Sequence, residues 1–178
     1  GAMASGATPI KAAETDFTAS VDAILAVMTE RTKMVFLANP NNPTGTYIAN
    51  SEIQRLRAAL PDRVRLVIDS AYAEFVLRND YSPGIEMVET HDNVVMTRTF
   101  SKIYGLAGLR LGWAYCPEEV ALVYHRVRSP FNVNSAAQAA GLAALHDVAH
   151  TDAARAHNDR ELAWLHDECR RLGLPCIP

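Results

Sequence analysis

Three short apolar runs, separated by segments with helical periodicity, most restrict how this chain can fold. The runs are KMVFLA at residues 33–38, RVRLVID at 63–69 and NVVMTRT at 93–99. Each has the length of a β-strand, and its apolar residues are continuous instead of alternating with polar ones, which is typical of strands covered on both faces. The sequence therefore predicts an α/β fold in which helices cover both faces of a mostly parallel sheet.

The helical segments begin and end at recognisable signals. Ser20 is a candidate N-cap, Ser51 and Gln54 form a candidate capping box, Pro117 suits a first helical turn, and Gly173 suits a C-terminal cap. The predicted helices cover residues 21–30, 52–60, 117–128, 135–147 and about 152–172.

A fourth apolar run, LGWAYC at residues 111–116, follows the third after a glycine-rich connection. A parallel return normally needs a crossover of about a dozen residues or more, usually a helix, and this connection must also accommodate several glycines. We therefore expect the fourth strand to run antiparallel to the third. Residues 174–178, LPCIP, resemble the start of another strand, so we also expect this sequence to be an excerpt of a longer polypeptide.

Charge and cysteine content argue against several classes of partner. The formal net charge is -3, and charged residues of both signs are scattered, so neither nucleic acid nor an anionic membrane is favoured. No apolar run has the length of a membrane span or the arrangement of a signal peptide. Cys116, Cys169 and Cys176 lack the spacing of a disulfide framework or zinc site, which favours reduced thiols in a cytoplasmic protein. His146 and His150 are four residues apart, but solvated histidines at a helix end explain this spacing better than a metal site, so we expect none.

Polar side chains follow each of the first three predicted strands. The loop NPNNPTG (39–45) follows the first, Asp69 and Tyr72 follow the second, and the segment from Thr99 to Lys102 follows the third. Because parallel strands open their carboxyl ends onto one edge of a sheet, we expect these groups to face a common crevice. They would suit an aromatic, phosphorylated aldehyde, since an amine can form a Schiff base, a carboxylate can pair with a protonated ring nitrogen, and hydroxyls with an arginine can bind phosphate.

Three motifs in this order resemble a known family: NPNNPTG at 39–45, IDSAYAEF at 68–75 and TFSKIYGLAGLRLG at 99–112. They are similar to motifs of the fold-type I pyridoxal-phosphate aminotransferases and, among these, of the histidinol-phosphate aminotransferases. The resemblance implies the three-layer α/β/α large domain of such enzymes, with a mostly parallel sheet that contains one antiparallel strand. It also implies that residues 1–150 form part of this large domain and that residues 151–178 form a helix leading into an incomplete small domain.

The resemblance assigns roles to the polar residues at the strand ends. Lys102 would bond to pyridoxal phosphate and later act as the base that moves the substrate proton. Asp69 would hold the ring nitrogen protonated, and Asn42 and Tyr72 would hydrogen-bond the phenolic oxygen, which makes Tyr72 a catalytic residue beside Lys102. The predicted phosphate-binding residues are Thr99, Ser101 and Arg110, and the glycines that let the loop turn close to the cofactor are Gly105, Gly108 and Gly112.

The resemblance also implies a reaction and its partners. It predicts transfer of an amino group from histidinol phosphate to 2-oxoglutarate, giving imidazole acetol phosphate and glutamate, in a homodimer. Two alternatives remain open: a related pyridoxal-phosphate enzyme (an aromatic aminotransferase, a threonine-phosphate decarboxylase or a carbon-sulfur lyase), and a regulator domain that binds the cofactor without catalysis. The resemblance places the substrate-binding arginine and the ring-stacking residue outside this sequence.

Overall fold

The structure, a computed structural model, describes residues 2–177, in which strands and helices alternate. The strands are β1 (Glu14–Thr15), β2 (Thr18–Ala19), β3 (Met34–Ala38), β4 (Arg65–Asp69), β5 (Val94–Thr99) and β6 (Gly112–Tyr115). The helices are α1 (Val21–Ala26), α2 (Asn50–Ala59), α3 (Ile85–Thr90), α4 (Glu118–Val127), α5 (Ser135–His146) and α6 (Val148–Arg171). Short 3-10 turns lie at Ala2–Ser5, Ala73–Phe75 and Ala107–Leu109.

Four strands form the main sheet, in the order β3-β4-β5-β6. β3, β4 and β5 are parallel, and β6 runs antiparallel to β5. This confirms an α/β fold with a mostly parallel sheet and one antiparallel strand. Asp69 at the end of β4 pairs with Ala38 of β3 and with Thr97 of β5, so the carboxyl ends of the parallel strands lie side by side.

The hydrophobic core lies between the sheet and the helices on one of its faces. Ile53 and Leu56 of α2 are fully buried, together with Leu66 and Ile68 of β4 and Met96 of β5. The apolar periodicity of α2 supplies one side of this core, and the strands supply the other. Burial of side chains of this size contributes roughly 1.5–3 kcal/mol each.

The opposite face of the sheet is covered only in part. Met34 and Phe36, which lie on this face of β3, are 54% and 68% exposed. The expectation that the apolar strands are covered on both faces is therefore wrong for β3 within residues 2–177. Continuous apolarity in β3 correctly indicates side chains suited to burial, but only alternate ones, such as Val35, are buried among the described residues.

Helix ends differ from the predictions where local hydrogen bonds compete with the helix. α1 ends at Ala26 instead of residue 30, because the Thr32 hydroxyl accepts from the Thr29 N–H (2.9 Å) and the Thr29 hydroxyl accepts from the Arg31 N–H (3.2 Å). Such hydroxyl contacts offer the backbone an alternative to the helix.

Two helix starts also differ. α2 begins at Asn50 after Ala49, which makes no side-chain cap, so the capping box predicted at Ser51 is wrong. α6 begins earlier than predicted, because the Asp147 carboxylate accepts from the His150 N–H (3.0 Å) and caps the helix there.

The remaining differences concern short segments. The hairpin of β1 and β2 and the short helix α3 were not predicted, since each has too few residues for a clear periodic signal. Residues 174–177 form no strand, and Pro178 lies outside the described residues. No helix within residues 2–177 is both long and apolar enough to span a membrane.

Candidate functional site

The loop that follows β3 is anchored by one asparagine and presents another. Asn39 is buried, and its side chain donates to Ile48 O (3.0 Å) and accepts from Ile48 N (2.9 Å). Asn42 is exposed, and its Nδ2 donates to the Tyr72 hydroxyl (3.2 Å). The bonds Asn39-Pro40 and Asn42-Pro43 are both cis. Asn39 therefore has a structural role, whereas Asn42 reaches out to the next strand end.

Tyr72 lies between Asn42 and Lys102. It sits in the turn that follows β4, called here the Tyr72 turn (residues 70–76), and Lys102 lies in the Lys102 loop (residues 99–112). The Nζ atom of Lys102 is 4.9 Å from the centroid of the Tyr72 ring. The ring face attracts the ammonium group electrostatically. Lys102 makes no ion pair with any residue of the described chain.

Asp69 ends β4 at the same edge of the sheet. Its carboxylate is exposed, and Oδ1 accepts from the Ala71 N–H (3.1 Å), while its main-chain oxygen accepts from the Asn39 N–H (2.9 Å). Between residues 2 and 177 the structure gives this carboxylate no cationic partner and no hydrogen bond to Lys102 or Tyr72. It therefore presents an available negative charge beside the strand ends.

The three predicted phosphate-binding residues all lie in the Lys102 loop. The Thr99 hydroxyl accepts from the Ser101 N–H (3.0 Å), so these two residues share one turn. Arg110 has a left-handed backbone (φ 57°), and its Nη1 donates to Ala107 O (2.6 Å). Its guanidinium group makes no hydrogen bond to Thr99 or Ser101 among the described residues. The structure thus joins Thr99 with Ser101 but does not bring Arg110 into contact with them.

The turn directly after the lysine depends on glycine. Gly105 has a φ of 68°, and its N–H donates to Lys102 O (2.9 Å). Glycine adopts positive φ without steric cost, whereas other residues rarely do. Gly112 has a different role, since a Cβ there would lie 2.9 Å from Arg98 O on the neighbouring strand.

A groove of about 600 Å³ opens beside Asn42 and Tyr72. Its walls are formed by the loop after β3, by the segment from Tyr72 to Arg78, and by Asn158, Asp159 and Leu162 of α6. The volume is in the range typical of small-molecule sites. The groove gives a ligand access to the Tyr72 side of the candidate site.

Sequence reasoning missed several polar residues around this site. Glu74 and Arg98 form an ion pair with little exposure, and Arg155 of α6 donates from Nε to Glu74 O (2.7 Å). His150, interpreted above as solvated, has its Nε2 atom 3.2 Å from Ile103 O in the Lys102 loop. An arginine inside the apolar run of β5 was the available signal, because a charge in such a strand needs a buried partner. No cluster of three or more potential metal ligands occurs in the part of the chain that the structure describes.

Comparison with known proteins assigns the chain to a family. The family model described as aminotransferase class I and II matches residues 1–178. The chain is 60% identical over 177 residues to the histidinol-phosphate aminotransferase of Paramagnetospirillum magneticum and 55% identical over 177 residues to that of Rhodospirillum centenum. Each alignment covers 99% of this chain and 49% of the relative, so the chain spans about half the length of these relatives.

A solved structure gives the same result at the level of the fold. The histidinol-phosphate aminotransferase of Sinorhizobium meliloti, in complex with pyridoxal-5'-phosphate, superposes with a TM-score of 0.81 at 31% identity. The match covers 89% of this chain and 44% of that chain. By its sequence match and its fold, the chain belongs to the aminotransferase class I and II family.

Proposed function

We propose that this chain is part of a pyridoxal-phosphate-dependent aminotransferase that converts histidinol phosphate and 2-oxoglutarate to imidazole acetol phosphate and glutamate, in histidine biosynthesis. The observation that carries the proposal is the position of Tyr72, whose hydroxyl accepts from Asn42 (3.2 Å) and whose ring centroid lies 4.9 Å from Lys102 Nζ. This arrangement joins all three sequence motifs at one point. Similarity to relatives named histidinol-phosphate aminotransferase supports the choice of substrate.

The residues at the strand ends fit pyridoxal phosphate by their chemistry. Its aldehyde requires an amine, which the exposed Lys102 offers, and its ring nitrogen requires a carboxylate, which Asp69 offers without a competing cation among residues 2–177. Its phenolic oxygen requires donors such as the Tyr72 hydroxyl and the Asn42 amide. The groups that would hold its phosphate are the Thr99 and Ser101 hydroxyls and the Arg110 guanidinium.

Each residue then has a defined task in the reaction. When bound, pyridoxal phosphate supplies an electron-withdrawing ring that stabilises negative charge on the carbon bearing the amino group. Asp69 would keep a proton on the ring nitrogen by placing a carboxylate beside it. In the first half of the reaction, the Nζ atom of Lys102 would take the proton from the α-carbon of the amino donor. In the second half, it would deliver a proton to the α-carbon that derives from the 2-oxo acid. Tyr72 and Asn42 would orient the ring by hydrogen bonds, and Tyr72 would also hold the Lys102 amine near its face.

The proposal extends to the organisation of the whole enzyme. Residues 1–150 would form part of the large, cofactor-binding domain, and residues 151–178 would lead into the small domain. The relatives are about twice as long as this chain, which supports a full-length enzyme that contains it as one portion. We further propose a cytoplasmic homodimer whose partners are a small amino donor and a 2-oxo acid, with no nucleic acid or membrane.

Cofactor binding is tested by trapping it on the lysine. We expect the full-length enzyme to develop a visible absorbance band with pyridoxal phosphate and, after borohydride reduction, to carry the label on the peptide that contains Lys102. Lys102→Ala should abolish both signals, whereas Lys33→Ala and Lys11→Ala, which change the other two lysines of this chain, should leave them intact. A label distributed over several lysines, or retained in Lys102→Ala, would contradict the proposal.

The reaction itself is tested by following the amino group. With histidinol phosphate and 2-oxoglutarate, an aminotransferase produces glutamate and imidazole acetol phosphate. Carbon dioxide release from threonine phosphate would indicate a decarboxylase, and release of a thiol or sulfide from a sulfur-containing amino acid would indicate a carbon-sulfur lyase. Cofactor binding without turnover of any amino donor would indicate a regulator.

A further inference from the structure

The buried ion pair between Glu74 and Arg98 lies next to the candidate site but is not part of it. Arg98 donates to Glu74 Oε1 from Nη2 (2.6 Å) and from Nε (3.2 Å). Their side chains are only 13% and 9% exposed for Arg98 and Glu74, respectively. Arg98 also lies over the Trp113 ring, with Cζ 5.7 Å from its centroid. Both donors of Arg98 bind the same oxygen, and Glu74 Oε2 has no hydrogen-bond partner among residues 2–177. Separation of the pair would leave two buried charges unpaired, which is strongly destabilising and favours the arrangement that keeps them together.

Those segments are the two that present Tyr72 and Lys102. Glu74 lies in the Tyr72 turn, in the 3-10 segment Ala73–Phe75 that follows Tyr72 directly. Arg98 is the residue before Thr99 at the carboxyl end of β5, where the Lys102 loop starts. The main-chain pairing of β4 with β5 ends at Asp69 and Thr97, before either segment. The ion pair therefore connects the Tyr72 turn to the end of β5 beyond the last residues that pair between β4 and β5, where β5 still pairs with β6.

Helix α6 reinforces the same arrangement from outside the sheet. Arg155 donates from Nε to Glu74 O (2.7 Å), and His150 Nε2 lies 3.2 Å from Ile103 O, the residue after Lys102. One helix thus contacts the backbone of both segments. Burial and the nearby Glu74 carboxylate also raise the pKa of Tyr104 in the Lys102 loop.

We propose that Glu74 and Arg98 are positioning residues, which hold the Tyr72 ring against the Lys102 amine, and that Arg155 secures the same turn from α6. This inference rests on the proposed function for its catalytic meaning. Neither Glu74 nor Arg98 makes a hydrogen bond to Lys102 or Tyr72 within residues 2–177, so they act through the segments that carry those residues. A misplacement of about 1 Å in such an arrangement can cost about a hundredfold in rate.

The experiment compares variants of the full-length enzyme in two readouts. The first is the pyridoxal phosphate concentration that gives half-maximal borohydride-trapped label on Lys102. The second readout needs no cofactor and is the NMR chemical shift of the ¹³C-labelled Lys102 side chain. The ring current of Tyr72 displaces this chemical shift, and comparison with Tyr72→Leu identifies the displacement. The variants are Glu74→Gln, Arg98→Met, the conservative Arg98→Lys, and Arg155→Leu for the outer contact. Arg57→Met is the matched control, because Arg57 is another buried arginine, paired with Asp62 (3.1 Å) near the amino end of β4.

We expect Glu74→Gln and Arg98→Met to raise the half-maximal cofactor concentration about tenfold or more and to remove the ring-current shift, while Arg98→Lys restores part of both. Arg57→Met should lower thermal stability but leave both readouts unchanged. If Glu74→Gln or Arg98→Met fails to fold, the test relies on Arg98→Lys and Arg155→Leu, for which we expect the half-maximal cofactor concentration to rise a few-fold. Folded variants that keep the wild-type cofactor dependence and the shifted Lys102 resonance would overturn the inference. A different outcome would separate the two proposals. If the wild-type enzyme shows the shifted Lys102 resonance and the variants lose it, but the wild-type enzyme takes no label, the proposed cofactor chemistry is refuted and the positioning role stands.

Discussion

Tyr72 makes the contacts on which the candidate site depends. Its hydroxyl accepts from the Asn42 amide, its ring faces the Lys102 amine, and the ring of Phe75 lies at a centroid distance of 6.4 Å. The hydroxyl and the ring can be separated by substitution, because phenylalanine retains the ring. Tyr72→Phe therefore tests the hydrogen bond to the cofactor while the ring still positions the lysine.

Tyr72→Phe should leave the fold intact, since Asn42 is exposed and water can replace its lost partner at a cost below about 1 kcal/mol. We expect cofactor labelling of Lys102 to persist. The hydroxyl would favour the ionised phenolic oxygen of the cofactor, so its loss should move the pH midpoint of the visible band upward by about one unit. Absorbance titration measures the midpoint, with Tyr47→Phe as a control away from the site. An unchanged midpoint would exclude a hydrogen bond from Tyr72 to the cofactor.

Tyr81 gives a residue-level prediction about stability and pH. Its hydroxyl donates to Asn39 O (2.9 Å), and burial raises its pKa to about 12. The ordinary value of about 10 applies in the unfolded chain, so the folded chain holds this proton more tightly. The resulting stability is complete below pH 10 and is lost as the pH rises toward 12.

The contribution of Tyr81 is measured as a difference between two proteins. From pH 9 to pH 11, urea unfolding should show a decrease in the free energy of unfolding that is about 1 kcal/mol larger for the wild type than for Tyr81→Phe. Tyr47 and Tyr104 also have raised pKa values and remain in both proteins, so their effect cancels. Equal decreases in the two proteins would contradict the assignment to Tyr81.

At the level of elements, the edge between β5 and β6 sets the shape of the Lys102 loop. Gly112 opens β6 opposite Thr99, and a Cβ there would lie 2.9 Å from Arg98 O. Because that atom belongs to the backbone of a paired strand, it cannot move aside as a flexible side chain would. The two ends of the Lys102 loop therefore approach each other more closely than any residue with a Cβ at position 112 would allow.

Gly112→Ala should therefore destabilise the protein by about 1–3 kcal/mol, by forcing β6 away from β5. Gly108→Ala is the matched control in the same loop, because a Cβ at Gly108 meets no atom within 4 Å. We expect that control to change the free energy of unfolding by less than about 0.5 kcal/mol in denaturant titrations. Similar effects of both substitutions would show that the close approach to Arg98 O is not what requires glycine.

The sequence predicted the long elements and the convergence of the strand ends, but not the contacts that depend on exact register. Apolar runs and glycine content were enough to place β3 to β6 and the antiparallel turn at β6. The meeting of Asn42, Tyr72 and Lys102 followed from the shared edge of parallel strands. The pairing of Glu74 with Arg98 did not, because it requires the 3-10 geometry of the Tyr72 turn and the side on which Arg98 leaves its strand, neither of which residue type determines.

At the scale of the whole molecule, one face of β3 exposes large apolar side chains. Met34 and Phe36 are 54% and 68% exposed on the face of the edge strand β3 that points away from the core, whereas the alternate residues Val35 and Leu37 are buried in the core. Two large apolar side chains exposed side by side on an edge strand are suited to burial against another segment. The relatives are about twice as long as this chain, so we assign the covering layer to the remainder of the full-length polypeptide.

One substitution, made both in the full-length enzyme and in the 178-residue chain, tests this assignment. Phe36→Ser in the full-length enzyme should lower the free energy of unfolding by about 3 kcal/mol or more, as for a large side chain lost from a core. In the 178-residue chain alone, the same change should reduce self-association and binding of an apolar dye, because Phe36 is solvent-exposed there. Phe36→Leu, which keeps an apolar side chain, should have a smaller effect in both contexts. A change below about 0.5 kcal/mol in the full-length enzyme, typical of surface positions, would mean that the rest of the polypeptide does not cover this face.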